Sequence, residues 1–160
     1  MASPALKVYG HWVSQPARSV LWLLKIKGLP FAFEKVDPMG GGTRTPSYKK
    51  LFPTAKAPAI VDGSFALAEG SAIMCYLCDK HGWDDWYPPG LESRAVVNSY
   101  LSSHHTTSRN VTRKVFHPVV SHSTASGSRG PDLPSLLGYA EEAGAAFSSQ
   151  WLGAGAYVGG

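Results

Sequence analysis

Two short stretches of the sequence place a polar side chain at the predicted start of a helix. Ser14 lies two residues before Pro16, and proline is tolerated in a first helical turn. Glu69 follows a hairpin pattern centred on Asp62 and Gly63, and a segment with helical spacing begins after it. A helix N-terminus offers free backbone N–H groups and the positive end of the helix dipole, and both stabilise a nearby anion. With the Glu69 carboxylate added, such a place could bind both charged ends of a zwitterionic peptide.

The elements that would position these residues are predicted from apolar spacing and turn signals. The predicted strands cover residues 6–9, 31–36, 58–61 and 64–67, and the predicted helices cover residues 17–27, 47–52 and a third segment that ends near Gly82. A helix between two such strands is a right-handed parallel crossover. The order β-α-β-α-β-β-α therefore predicts a four-stranded mixed sheet with helices on both faces. This is the thioredoxin-like α/β fold, expected for a domain of residues 1–82.

The second half of the chain has a different pattern. Residues 83–90 combine aromatic residues, prolines and a glycine, and they are expected to be a linker. Residues 91–116 hold spaced apolar side chains without an internal proline, which predicts one long helix ended by Pro118. A further helix is predicted over residues 136–151, after a Ser-, Gly- and Pro-rich loop. Residues 91–160 are thus expected to form an incomplete all-helical domain.

Composition excludes several classes of protein. An apolar content of 44% in 160 residues indicates a globular chain, and no apolar run reaches the roughly 18 residues of a membrane span. The N-terminal residues lack a secretory signal pattern, so a cytoplasmic location is expected. Residues 1–80 carry a net charge of +5 and residues 81–160 one of −1, which fits an anionic ligand in the first half or simply solvated lysines. The basic residues are scattered, so nucleic-acid binding is not expected.

The sequence resembles the cytosolic glutathione transferases, and within them the theta class. Three segments carry the resemblance: YGHWVSQPARSVLWLLK at 9–25, AKAPAIVDGSFALAEGSAI at 55–73 and RAVVNSYLSSHHTT at 94–107. The resemblance implies conjugation of the glutathione thiolate to hydrophobic electrophiles, with glutathione peroxidase activity as a side activity. It also implies a homodimer, and a chain shortened at its C-terminal end relative to the family.

The resemblance implies that Ser14 is the catalytic residue. Its hydroxyl would donate a hydrogen bond to the glutathione sulfur and favour the thiolate, because a hydroxyl donor and a helix N-terminus both stabilise the anion. From the residues alone, Ser14 could equally be an ordinary N-cap of the following helix. Tyr9 is a rival, because other classes of the family use a tyrosine near the end of the first strand. Its distance from Pro16 favours a packing role.

The resemblance also implies a set of glutathione contacts. Pro58 matches the family's cis-proline, and Ala57 before it would offer its backbone to the cysteinyl part of glutathione. Lys56 would pair with the glycyl carboxylate or be a solvated lysine. Glu69 would receive the γ-glutamyl ammonium. Gly70 replaces a usual serine, so its N–H, followed by Ser71, is expected to hold the γ-glutamyl carboxylate.

Two further positions concern the edges of this site. Thr43 replaces a histidine common in theta-class sequences, which removes one expected glutathione contact. Arg109 matches a basic residue that some theta enzymes place near the electrophile. No metal is expected, because the histidines His104, His105, His117 and His122 lack a carboxylate or cysteine at ligand spacing.

Two other functions remain open from the sequence. The chain could be a non-catalytic relative that binds glutathione or serves as an interaction module. It could also be a thioredoxin-like oxidoreductase, because Cys75 and Cys78 have the spacing of a redox motif. A redox pair needs its attacking cysteine at a helix N-terminus, whereas these two lie in the middle and at the end of the predicted third helix. The pattern therefore disfavours redox chemistry by the protein's own thiols.

Overall fold

A computed structural model of the chain describes residues 5–38, 40–106, 108–111 and 114. The elements in chain order are β1 (Leu6–Gly10), α1 (Gln15–Ile26), β2 (Ala32–Lys35), a short 3-10 helix (Gly42–Arg44), α2 (Pro46–Leu51), β3 (Ala59–Asp62), β4 (Phe65–Ala68), α3 (Gly70–His81), α4 (Leu91–Ser103) and α5 (Ser108–Val111). The first seven strands and α-helices follow the predicted order, with boundaries that differ by a few residues.

The four strands form one mixed sheet in the order β2-β1-β3-β4. Strand β1 runs parallel to β2 and antiparallel to β3, and β3 pairs with β4 as an antiparallel hairpin. Gly63 turns this hairpin with a φ of 61°, a left-handed conformation that favours glycine. The predicted thioredoxin-like arrangement is confirmed.

Helices cover both faces of the sheet. Alternate residues of β1 point to opposite faces, so each face presents apolar side chains that a helix can bury. Val8 is fully buried in the larger core, where it packs with side chains of α1 and α3 such as Leu24 and Ile73. Tyr9 points the other way and packs on a smaller cluster formed around Tyr48 and other aromatic side chains of the α2 region. Helices α1 and α3 thus lie on the face of the larger core, and α2 lies on the other face.

The prediction of one long helix over residues 91–116 is wrong. Helix α4 ends at Ser103, a turn follows, and α5 begins at Ser108. At the break, the Ser103 hydroxyl donates to the carbonyl of Tyr100, and the Thr106 hydroxyl donates to that of Ser103, each at 3.0 Å. Ser and Thr hydroxyls compete with the helical backbone for these carbonyls, so a run of such residues ends a helix without proline.

The chain divides into two compact units between Pro88 and Pro89. In the first unit, the predicted linker packs at the C-terminal end of α1. There the ammonium of Lys27, the C-cap of α1, lies 2.8 Å from a carboxylate oxygen of Asp85 and 5.4 Å from the ring centroid of Trp86. In the second unit, α4 buries none of its residues. The loop and helix predicted over residues 121–134 and 136–151 lie outside the described residues, as do His117 and His122. Among the described residues, no helix is both long and apolar enough to span a membrane.

Candidate active site

Ser14 is the N-cap of helix α1. Its backbone is extended, with φ −74° and ψ 113°, and its hydroxyl oxygen accepts a hydrogen bond from the backbone N–H of Ala17 at 3.4 Å. Pro16 occupies the first turn, where no N–H is needed. This geometry is the N-cap that sequence reasoning allowed. It leaves the hydroxyl proton of the half-buried Ser14 available to donate to a ligand, because the N-cap bond uses only the oxygen as an acceptor.

Arg18 fixes the loop that carries Ser14. One nitrogen of its guanidinium, Nη1, donates to the carbonyl oxygens of Trp12 and Val13, at 2.8 and 3.1 Å. A further bond from the Ser14 N–H to the His11 carbonyl, at 2.9 Å, closes the same turn. The loop before α1 is therefore held from both ends, which sets the direction of the Ser14 side chain.

Glu69 precedes helix α3 in a conformation unusual for its residue type. Its φ is 74°, in the left-handed region that side chains with a Cβ rarely adopt. Its carbonyl accepts the first helical bond, from the N–H of Ile73 at 2.9 Å. Its exposed side chain does not cap the helix, and no hydrogen bond or ion pair links its carboxylate to any residue that the structure describes. The helix thus begins with a strained backbone and an unpaired acid.

Gly70 joins the starts of the two helices. A Cβ placed on Gly70 would lie 3.2 Å from Cβ of Pro16 and 3.4 Å from Cγ of Pro58. The first turn of α1, the first turn of α3 and the residue before β3 are therefore in direct contact. Ser14, two residues before Pro16, and Glu69, directly before Gly70, belong to the same corner of the first unit. Ser71 follows in the first turn of α3 and is half-buried.

The segment before β3 completes this corner. The peptide bond between Ala57 and Pro58 is cis, as the resemblance implied. Pro58 is buried, Ala57 is half-buried, and the Lys56 side chain is exposed. The backbone carbonyl of Lys56 accepts a hydrogen bond from the hydroxyl of Tyr48 at 2.7 Å. Sequence reasoning did not identify Tyr48, and nothing in the local sequence indicates this bond, because the partners are eight residues apart and belong to different elements.

Three other positions from the sequence lie elsewhere or act differently. Tyr9 is in the aromatic cluster with Tyr48, at 6.0 Å between ring centroids, which agrees with packing. Thr43 is buried in the 3-10 helix. Arg109 lies on α5 in the second unit, where its guanidinium is 3.3 Å from Nδ1 of His105. Its proposed role near the electrophile stays a prediction.

The cysteines and histidines have no geometry for redox or metal chemistry among the described residues. Neither cysteine forms a disulfide bond. Burial, followed by the neighbouring Cys75, raises the pKa of the Cys78 thiol to about 11, so this thiol stays protonated at neutral pH. Burial lowers the pKa of His104, helped by His105 and Arg109. In the part of the chain that is described, no group of three or more potential ligands could hold a metal ion.

Residues 4–79 match the family model "Glutathione S-transferase, N-terminal domain". Among curated proteins, the mouse glutathione S-transferase theta-3 is 40% identical over 105 residues, which covers 65% of this chain and 44% of that protein. The human glutathione S-transferase theta-1 is 38% identical over 117 residues, covering 72% of this chain and 49% of that protein. The chain thus spans about half the length of these relatives.

Solved structures give the same result. The apo form of human glutathione S-transferase T1-1 matches with a TM-score of 0.64 and 38% identity, over 71% of this chain and 48% of that chain. Human glutathione transferase theta-2, in complex with glutathione and an unknown ligand, matches with a TM-score of 0.74 and 29% identity, over 92% and 62% of the two chains. The first unit therefore contains a glutathione S-transferase N-terminal domain, and this domain is similar to those of theta-class glutathione transferases.

Proposed function

We propose that this chain is a theta-like glutathione transferase that binds glutathione in its first domain, residues 1–82, and conjugates it to hydrophobic electrophiles. The observation that carries the proposal is the contact of Gly70 with Pro16 and Pro58. It brings two helix N-termini and the backbone segment before β3 into one corner. A negatively charged tripeptide with a sulfur in the middle fits such a corner.

The γ-glutamyl end of glutathione would bind at α3. Its ammonium pairs with the Glu69 carboxylate, which has no partner among the described residues. Its carboxylate is placed to accept hydrogen bonds from the free N–H groups of Gly70 and Ser71, at the positive end of the helix dipole. Charge-assisted bonds of this kind are stronger than neutral ones.

The rest of the tripeptide would bind along the segment before β3. The Ala57 N–H and carbonyl pair with the cysteinyl backbone, in the manner of an added strand. The exposed Lys56 ammonium then approaches the glycyl carboxylate. With both ends held, the cysteinyl sulfur is directed towards Ser14.

Catalysis requires the sulfur as a thiolate, since the thiol is a poor nucleophile and has an ordinary pKa of about 8.5. The Ser14 hydroxyl donates a hydrogen bond to the sulfur, and the N-terminus of α1 adds its dipole. Both lower the pKa of the bound thiol, whose proton passes to solvent. The thiolate attacks an electrophilic carbon, a carbon–sulfur bond forms, and the leaving group departs with its electron pair.

Several finer features belong to the proposal through the resemblance. The electrophile is an apolar xenobiotic or organic halide, with Arg109 near it. Reduction of organic hydroperoxides by the same thiolate is a secondary activity, and the protein acts as a cytoplasmic homodimer.

The second candidate function is non-catalytic binding of glutathione. The observation that favours it is the loss of two family contacts, because Gly70 replaces a serine and Thr43, which is buried, replaces a histidine. The chain would then bind glutathione more weakly and would not conjugate it.

Two measurements on the full chain separate these functions. Retention on immobilised glutathione, with elution by free glutathione, is expected for both. Formation of a glutathione conjugate from an alkyl halide, faster than in buffer and reduced at least tenfold in Ser14→Ala, is expected only for the transferase. Retention without conjugation would establish the second candidate, and no retention would refute both.

A further inference from the structure

We infer that Tyr48 is a positioning residue for glutathione, which it never touches, because its hydroxyl sets the direction of the Ala57 N–H. The inference rests on the proposed function, and it assigns a role in the site to a residue on the opposite face of the sheet from α1 and α3. One hydrogen bond, one planar peptide unit and one buried ring support this role.

The hydrogen bond joins the two faces of the structure. Tyr48 lies on α2, and its hydroxyl donates to the carbonyl oxygen of Lys56 at 2.7 Å. The Lys56 carbonyl and the Ala57 N–H belong to the same peptide unit, which is planar, so they point in opposite directions. Fixing the carbonyl on the α2 side therefore aims the Ala57 N–H away from α2. That N–H is the one proposed to bind the cysteinyl backbone.

This peptide unit has little other support. Regular pairing of β3 with β1 begins only at Ala59, opposite Tyr9. Before it, Ala55 has a φ of 52°, in the left-handed region, so the chain is irregular between α2 and β3. An irregular segment outside the sheet ladder needs side-chain hydrogen bonds to hold one orientation.

The Tyr48 ring is held rigidly enough to serve as this anchor. It is 6% exposed and packs edge-on against Tyr9 and tilted against Phe52, at 6.0 and 5.0 Å between ring centroids. A hydroxyl at the end of a fixed ring imposes its direction on its partner. Burial, with a contribution from Tyr9, raises the pKa of Tyr48 to about 12, so the hydroxyl remains a donor throughout the neutral range.

The test compares Tyr48→Phe with Tyr76→Phe in the full chain. Both remove one hydroxyl that donates a hydrogen bond, since the Tyr76 hydroxyl donates to Asp62 at 3.0 Å, but only Tyr48 is bonded to the segment before β3. Tyr48→Phe is expected to raise the Kd and KM for glutathione about threefold to tenfold, the equivalent of one hydrogen bond. The kcat at saturating glutathione should stay within twofold, because Ser14 is not affected. Tyr76→Phe should leave both parameters unchanged.

Backbone NMR supplies a readout that loss of stability alone would not move. Glutathione should slow hydrogen exchange of the Ala57 amide in the wild type and in Tyr76→Phe, and slow it less in Tyr48→Phe. An unchanged Kd in a folded Tyr48→Phe protein, or equal losses in both variants, would overturn the inference.

If Tyr48→Phe does not fold, the inference is tested in the wild type by following the ¹³Cζ NMR signal of Tyr48. This signal should shift when glutathione is added, and its failure to shift in a protein that binds glutathione would also overturn the inference. A wild type that does not bind glutathione refutes the proposed function instead.

Discussion

The starts of helices α1 and α3 meet in one corner, yet they are built in opposite ways. Helix α1 begins with a relaxed residue, Ser14, whose hydroxyl satisfies one of the helix's own N–H groups. Helix α3 begins with Glu69 at φ 74° and has no side-chain cap. A protein selected for stability alone would cap both helices, because a good N-cap contributes about 1 kcal/mol.

The difference indicates that the starts of the two helices have different roles. The first turn of α3 keeps its N–H groups and an adjacent carboxylate available for a ligand, at a cost in backbone strain of the order of 1–3 kcal/mol. Helix α1 is capped by Ser14, whose side chain is held by the N-cap bond and still has a hydroxyl proton to donate. In the proposed function, α3 binds the tripeptide and α1 activates its sulfur. Changes at the two helices should therefore have separable effects.

The largest effect is expected at Glu69. Glu69→Gln removes the charge that pairs with the γ-glutamyl ammonium, and charged hydrogen bonds contribute about 1.5–3 kcal/mol, so the Kd for glutathione should rise about 10- to 150-fold in calorimetry. Glu92→Gln is the matched control, because Glu92 is also an exposed acid at the start of a helix. Equal affinity in Glu69→Gln and the wild type would remove α3 from the binding site.

A second change at Glu69 should improve stability while it weakens glutathione binding. Glu69→Gly removes the side chain that makes a positive φ unfavourable, so the free energy of unfolding measured in urea should rise by about 1 kcal/mol. Affinity for glutathione should fall as far as in Glu69→Gln. A variant that is less stable than the wild type would show that the Glu69 backbone is not strained.

At α1, two substitutions of Ser14 separate capping from catalysis. Glycine is nearly as good an N-cap as serine, whereas alanine costs about 1 kcal/mol. Ser14→Gly should therefore retain wild-type stability, and Ser14→Ala should not. Both remove the hydroxyl donor, so both should lower kcat/KM about 10- to 100-fold, with little change in KM. Activity that follows stability instead would reduce Ser14 to a structural N-cap.

A smaller effect is expected for Arg18, whose guanidinium holds the loop before Ser14. Arg18→Met should lower kcat/KM about threefold to tenfold, because the carbonyls of Trp12 and Val13 lose their donor and the Ser14 hydroxyl becomes less well directed. Arg18→Lys offers a shorter-range donor without the planar fork and should recover only part of the activity. Full activity in Arg18→Met would show that this loop is held by other contacts.

The smallest effect at neutral pH concerns Cys78, near the opposite end of α3. Its pKa is raised from 9.0 to about 11 by burial, so the folded state holds a proton that the unfolded state loses first. Its contribution to stability is therefore complete below pH 9 and is lost as the pH rises from 9 towards about 11. Urea unfolding should show a steeper loss over this range in the wild type than in Cys78→Ala. Equal slopes would mean that burial does not raise the pKa of Cys78, so that this thiol would ionise at an ordinary pH.

The corner could be predicted in part from local signals. Pro16 after Ser14, the Asp62-Gly63 turn and Gly82 each predict a boundary from a single residue's conformational preference, and all lie where expected. The contact of Gly70 with Pro16 could not be predicted, because it depends on how two helices pack. The bond from Tyr48 to Lys56 was missed for the same reason. The long-helix prediction failed because hydroxyl bonds near Ser103 compete with the helix, and apolar spacing does not report them.

The central claim is that the starts of α1 and α3 form one site that holds glutathione as a thiolate. Thiolate absorbance of glutathione bound to the full chain, followed as a function of pH, tests it most directly. The account predicts half-ionisation at least one pH unit below the value of about 8.5 expected for a free thiol. It also predicts a shift back towards that value in Ser14→Gly, in which only the helix dipole still acts, and about 10- to 150-fold more glutathione needed to reach the same bound signal in Glu69→Gln. Bound glutathione that ionises in the wild type at the same pH as in buffer would contradict the claim.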